Sequence, residues 1–216
     1  MQLIKYFLAG CLLCTGGWQT LQAQNRSAET LSTQEILSAI DRTTSALKTL
    51  RCEFTQTKEL SLLRDQMVSH GVMYYQQEGG KLHWEYTSPY RYTFILNGEQ
   101  VLMRSPGQTQ VVNTSDNRMF QEIARNMMNS LTGRCLTSTT DFRTQIRTEN
   151  GSWIAELTPI RREMQPFFSQ LRLHFDPKRQ LVTRVEMIEK NKDRTIIDLK
   201  NIQTDVPLDE TLFTIH

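Results

Sequence analysis

The residues of this chain best equipped for chemistry are four histidines and four cysteines, and their spacing offers them no reaction. None of His70, His83, His174 and His216 stands at metal-ligand spacing from another, and the cysteines show no zinc-type pairing. No Gly-x-Ser-x-Gly elbow, phosphate loop or dinucleotide fingerprint occurs. His83 falls on the polar face of a predicted strand, between Lys81 and Glu85, where a solvated side chain is the expected state. His70 and His174 also fall on predicted strands, with no Ser, Cys or Asp placed locally for either to activate. The chain is therefore expected not to be an enzyme and to need no cofactor or metal.

What the sequence supplies instead is apolar surface in search of a partner. In Lys81-Leu-His-Trp-Glu-Tyr-Thr-Ser-Pro89, Leu82, Trp84 and Tyr86 share one face of a strand and Lys81, His83 and Glu85 the other, which is expected to stay wet. Tyr90, Tyr92, Phe94 and Leu96 continue the pattern. From Asp116 to Leu131 the period changes: Phe120, Ile123, Met127 and Leu131 recur at helical spacing, with Met119, Ala124 and Met128 beside them. Methionine is unbranched and adapts its shape, so it suits a surface that re-packs around varied apolar groups. Two destinations remain open for these residues, a packed core and the wall of a cavity.

The elements that must position them are legible by period. Ser32 and Glu35 form a capping box for a first helix with Ile36, Ile40, Leu47 and Leu50 on one face, ending by about Thr49. Alternating runs follow: Cys52 and Phe54, Val68 to Tyr74, residues 81–87, Tyr90 to Leu96, Val101 and Met103, and Gln108 to Asn113. Asn97-Gly98 is expected to make a type I′ hairpin turn. After the Asp116–Leu131 helix, stopped at Gly133, alternation resumes with Phe142 and Ile146, an Asn150-Gly151 turn, and runs 153–157, 167–175, 181–188 and 195–202. Leu212-Phe213-Thr214-Ile215 is expected to close the sheet. Long antiparallel strands on short turns predict one strongly curved sheet, an unclosed β-barrel whose concave side the two helices cover.

Residues 1–23 read as a signal peptide, with Lys5 before an apolar stretch and Ala23 before Gln24. Leu8-Ala9-Gly10-Cys11 also resembles a lipobox, which would anchor the protein by lipid at Cys11. Residues 24–216 then form a single domain, and nothing in them approaches 18 consecutive apolar residues. The 25 Lys and Arg nearly balance the 23 Asp and Glu, so net charge implies neither nucleic acid nor an anionic membrane as a standing partner. Cys52 and Cys135 remain after the leader, paired or as two buried thiols.

Phe54-Thr55-Gln56 after an amphipathic helix, Gly71 with Tyr74, Leu82-x-Trp84-x-Tyr86-x-x-Pro89, Asn97-Gly98, the mid-chain helix and Asp209-Glu210-x-Leu212-Phe213-Thr214-Ile215 together resemble the outer-membrane lipoprotein carrier proteins, the LolA family. The resemblance implies an unclosed barrel of about eleven strands with a helical lid. It also implies a monomeric periplasmic carrier that takes acylated lipoproteins from an inner-membrane ABC complex to an outer-membrane acceptor. Leu82, Trp84, Tyr86 and Phe94 would form the wall of its acyl-chain cavity, Ile36 and Ile40 the first helix's share, and Met119, Phe120, Ile123, Met127 and Leu131 the lid. A lipid- or lipoprotein-sensing or receptor domain of the same fold is the alternative. Members of the family often carry a lid-tying arginine before the tryptophan strand, where residues 76–81 here read Gln-Gln-Glu-Gly-Gly-Lys. The ammonium of Lys81 cannot reproduce a guanidinium fork. The chain also stops at His216 without the extra C-terminal segment of some carriers, so directional transfer is expected to work differently.

Overall fold

The computed structural model describes residues 31–62, 65–114, 128–137, 140–162 and 164–215. The leader, the Cys11 lipobox and the predicted lid residues Met119, Phe120, Ile123 and Met127 lie outside the described residues. The described residues form one compact unit.

The first helix, α1 (Thr33–Ala46), begins at the predicted capping box. Ser32 Oγ accepts from Glu35 N at 3.3 Å, and Glu35 Oε2 accepts from Ser32 N at 2.8 Å. Ile36, Ala39 and Ile40 are buried on one face. The helix stops earlier than its apolar spacing predicts, because Leu47 is already extended as the C-cap and Leu50 belongs to the first strand.

Among the described residues eleven antiparallel strands follow: β1 (Thr49–Leu60), β2 (Asp65–Gln76), β3 (Lys81–Ser88), β4 (Tyr92–Asn97), β5 (Gln100–Ser105), β6 (Gln108–Asn113), β7 (Phe142–Glu149), β8 (Ser152–Pro159), β9 (Gln170–Asp176), β10 (Leu181–Ile188) and β11 (Arg194–Thr204). Their order in one sheet is β6-β5-β4-β3-β2-β1-β11-β10-β9-β8-β7, with β6 and β7 unpaired to each other at the two edges. Two meanders are thus joined where β1 pairs with β11, Phe54 opposite Leu199. Laid flat, eleven strands would span about 48 Å, against about 21 Å for a helix of α1's length. Yet Val101 of β5, Trp153 of β8 and Ile40 of α1 share one core, so the sheet curls around its helices. Helical residues 128–132 end at Gly133, whose φ is +81°. A side chain there would press on the Phe175 ring, 3.0 Å from the Cβ position.

Two sequence expectations are corrected. The β4–β5 turn has Gly98-Glu99 at its centre, with Asn97 paired to Gln100 and only Gly98 at positive φ, +59°. A type I′ turn needs two positive φ values, and Asn150-Gly151, at +49° and +75°, supplies them in the β7–β8 turn. The C-terminal Leu212–Ile215 segment adds no strand. Thr211 N donates to Asp209 Oδ1 at 2.9 Å, which turns Glu210–Phe213 into a short 3-10 helix laid against β3 and β4.

Candidate functional site

The concave face is organised around a glycine. Gly71 of β2 lies opposite both Phe54 and Tyr86, and a Cβ there would fall 2.4 Å from the Phe54 ring and 2.0 Å from the Glu85 carbonyl oxygen. With no side chain in the way, the Phe54 ring crosses β2 and stacks on Trp84, ring centroids 4.0 Å apart and planes 28° apart. Tyr86 packs edge-on against Phe54 at 5.2 Å and donates its hydroxyl to Gln56 Oε1 at 2.9 Å. Burial of the ring raises the Tyr86 pKa and keeps the phenol protonated.

Beside this cluster lies a cavity of about 540 Å³. Trp84 and Gln56 line one side, Val185, Met187 and Ile197 of β10 and β11 the floor. Ser130 and Leu131 come from the helix, and Pro166, Phe167 and Phe168 from the loop before β9. The volume falls within the range of small-molecule pockets, and the lining is mostly apolar. Its polar lining is Gln56, Ser130, Glu189 and Thr195; Gln56 is engaged by Tyr86, and Glu189 by Lys58, two residues further along β1. Among the described residues no group of three His, Cys, Asp or Glu could hold a metal ion.

Of the predicted wall and lid, Trp84 and Leu131 line the cavity. Leu82, Ile36 and Ile40 are buried in the core, and Tyr86 and Phe94 pack partly buried against it. The contribution of β9–β11 and of the Pro166–Phe168 loop was missed by sequence reasoning. Its signal was present, since Leu171, Leu173 and Phe175 alternate as cleanly as Leu82, Trp84 and Tyr86. Alternation alone places residues on a face and leaves open where that face is incompletely filled.

The helix end is held by a guanidinium after all. Arg134, just past Gly133, donates to the Thr44 carbonyl of α1 at 3.3 Å and stands against the Tyr75 hydroxyl of β2. Lys81 is used on the opposite face of the sheet, where its Nζ meets Glu210 Oε2 at 2.5 Å. That face carries a second apolar contact the sequence reading treated as wet. Phe213 is fully buried, Asn97 Nδ2 donates to its carbonyl at 3.0 Å, and His83 Nδ1 lies 2.6 Å from the Leu212 carbonyl. His83 is buried beneath this segment, with Ile95 and Leu102 aligned beside it across β4 and β5. Cys52 and Cys135 are unpaired and buried, and burial pushes both thiols up to about 12.

A single antiparallel sheet curled round helices, left unclosed and holding an apolar cavity on its concave side, defines a half-barrel container. The chain belongs to the LolA family: the family model for the outer membrane lipoprotein carrier protein LolA matches residues 45–216. An outer-membrane lipoprotein carrier protein of Methylococcus capsulatus is 26% identical over 213 residues, covering 99% of this chain and 93% of that protein. Its counterpart in Chromohalobacter salexigens is 27% identical over 136 residues, 62% of this chain and 61% of the relative. Among solved structures, an uncharacterized conserved protein from Thermus thermophilus aligns over 86% of this chain and 94% of its own, with a TM-score of 0.54. At 10% identity that likeness concerns the fold alone.

Proposed function

We propose that this protein is a periplasmic carrier that shelters the acyl chains of lipoproteins in its concave cavity and moves them from the inner to the outer membrane. The observation that carries the reading is the apolar cavity between Trp84 and Leu131, floored by Val185, Met187 and Ile197. Family membership and the names of the two relatives support it. Exposing an acyl chain to water costs about 0.8 kcal/mol per CH₂, so a 16-carbon chain costs on the order of 12 kcal/mol and does not leave a membrane unaided. A carrier supplies an apolar interior during the crossing and performs no reaction. In this reading residues 1–23 direct export, residues 24–216 act as a monomer, an inner-membrane ABC complex loads the cargo and an outer-membrane acceptor takes it. The predicted wall and lid, Leu82, Tyr86, Phe94, Ile36 and Ile40 with Met119, Phe120, Ile123 and Met127, shape the space that Trp84 and Leu131 line.

The test is native mass spectrometry of the protein mixed with a synthetic triacylated lipopeptide. A one-to-one adduct is expected. Met187→Asp places a carboxylate on the floor and should remove the adduct with little loss of fold, while Met187→Leu keeps it. Met187 is a better probe than Trp84, whose stacking on Phe54 ties it to stability as well. No adduct with the unaltered protein, or an adduct indifferent to Met187→Asp, overturns the assignment.

A further inference from the structure

One polar group in the cavity wall is left with a donor and no acceptor. Gln56 of β1 is half-buried and lies opposite the floor residue Ile197 of β11. Of the other polar lining residues, Glu189 is neutralised by Lys58, and the Ser130 hydroxyl is engaged with the Cys135 thiol. The Thr195 hydroxyl can turn to donate or to accept, as any hydroxyl can. Gln56 differs because its amide is oriented. Its Oε1 accepts from the Tyr86 hydroxyl at 2.9 Å. The Tyr86 oxygen is in turn the acceptor that the buried Trp84 indole N–H approaches without completing a hydrogen bond. Polarity therefore runs one way, from Trp84 through Tyr86 to the Gln56 oxygen, and the amino group Nε2 is the end of the amide that stays unused.

Among the described residues that amino group has no partner. A donor without an acceptor in an apolar cavity is costly, so it marks the place where a bound molecule presents one. The kind of acceptor follows from the rest of the lining. No basic side chain belongs to the described lining, so a carboxylate would enter with no cation to meet it. A secondary amide would bring an N–H of its own, and the Gln56 oxygen that could accept it is already taken by Tyr86. An ester carbonyl accepts and donates nothing, which is what a lone donor requires.

We propose that Gln56 Nε2 binds the carbonyl oxygen of an ester-linked acyl chain, and that the cavity thereby prefers esterified chains to free fatty acids. The inference rests on the carrier reading and deepens it: with the ester seated at Gln56, the hydrocarbon lies against the floor of Val185, Met187 and Ile197. Tyr86 is a positioning residue here, since its hydroxyl acts on the ligand only by turning the Gln56 amide.

Isothermal titration at neutral pH compares methyl laurate, dodecyl methyl ether, which replaces the carbonyl by a methylene, and laurate. The ester is expected to bind about two- to tenfold tighter than the ether, the range of one net neutral hydrogen bond, and tighter than laurate. Gln56→Met keeps the length of the side chain and should bring the ester-to-ether ratio to one while the ether's own affinity holds. Tyr86→Phe frees the amide to turn and should lower the ratio part of the way. Because the ratio is taken within one protein, a general loss of packing cancels. In the unaltered protein the carbonyl stretch of isotope-labelled ester should lie at lower frequency than in alkane solvent, a readout that does not depend on how the variants fold. Equal binding of ester and ether, a preference that survives Gln56→Met, a carbonyl band at its alkane position, or laurate binding tighter than the ester overturns the inference and leaves the carrier reading standing. No binding of any of the three overturns the carrier reading and this site with it.

Discussion

Gly71 admits the Phe54 ring across β2, so a methyl group there must displace both that ring and the Glu85 carbonyl. Gly71→Ala should destabilise the protein by about 1–3 kcal/mol, read as a lower urea midpoint, with a changed near-ultraviolet signal from Trp84. A second residue sets the acid limit. Glu186 is buried on the convex face, with His174 Nε2 at 2.9 Å and Arg194 Nη2 at 2.8 Å. The hydrogen bond from His174, aided by Arg194, lowers its pKa from 4.5 to about 2. A depressed folded-state pKa contributes stability above the unfolded value, and that stability is lost as pH falls from about 4.5 to about 2. Chemical denaturation across this window should show a loss on the order of 2 kcal/mol that Glu186→Gln removes. Trp84 was legible because a tryptophan on an alternating strand has to face something apolar. Phe167 was misplaced: the alternating run 167–175 put it on a strand, whereas β9 begins at Gln170 and Phe167 lies in the loop before it.

The C-terminal turn is the element whose role departs most from its sequence pattern. Leu212 to Ile215 reads as a strand end, yet the Asp209 cap and the Asn97 and His83 contacts make it a cover for the convex side of β3–β5. Phe213→Ala should cost about 3–5 kcal/mol and uncover Ile95 and Leu102, visible as increased binding of a hydrophobic dye. An unchanged unfolding midpoint would show that the turn contributes little. Each of the eleven strands overlaps an alternating run, since period two survives wherever one face is buried, but the runs started too early at Tyr90 and Phe167, ahead of β4 (Tyr92–Asn97) and β9 (Gln170–Asp176). What period cannot report is a strand buried on both faces in its middle, as β3 is at Leu82, His83 and Trp84. The wet-face expectation for His83 failed for that reason: its cover arrives from 129 residues away in sequence.

Across the whole molecule, the two meanders meet along β1 and β11, whose partners Phe54 and Leu199 are both buried. This seam sits in the middle of the sheet, so its amides should exchange with solvent more slowly than those of the edge strands β6 and β7. Leu199→Ala should speed that exchange and cost about 2–5 kcal/mol. Slower exchange at β6 or β7 than at β1 would overturn this reading of the seam. The strand order has a further consequence for how the chain comes into being. A chain that enters its compartment from the N-terminal end presents β1 first and β11 almost last, so a six-stranded sheet can assemble while the β1 edge, with Phe54 on its flank, still waits for its neighbour. During that interval the nascent protein displays an open, sticky border. Its dependence on a holding chaperone should end only when residues 194–204 have emerged into that compartment.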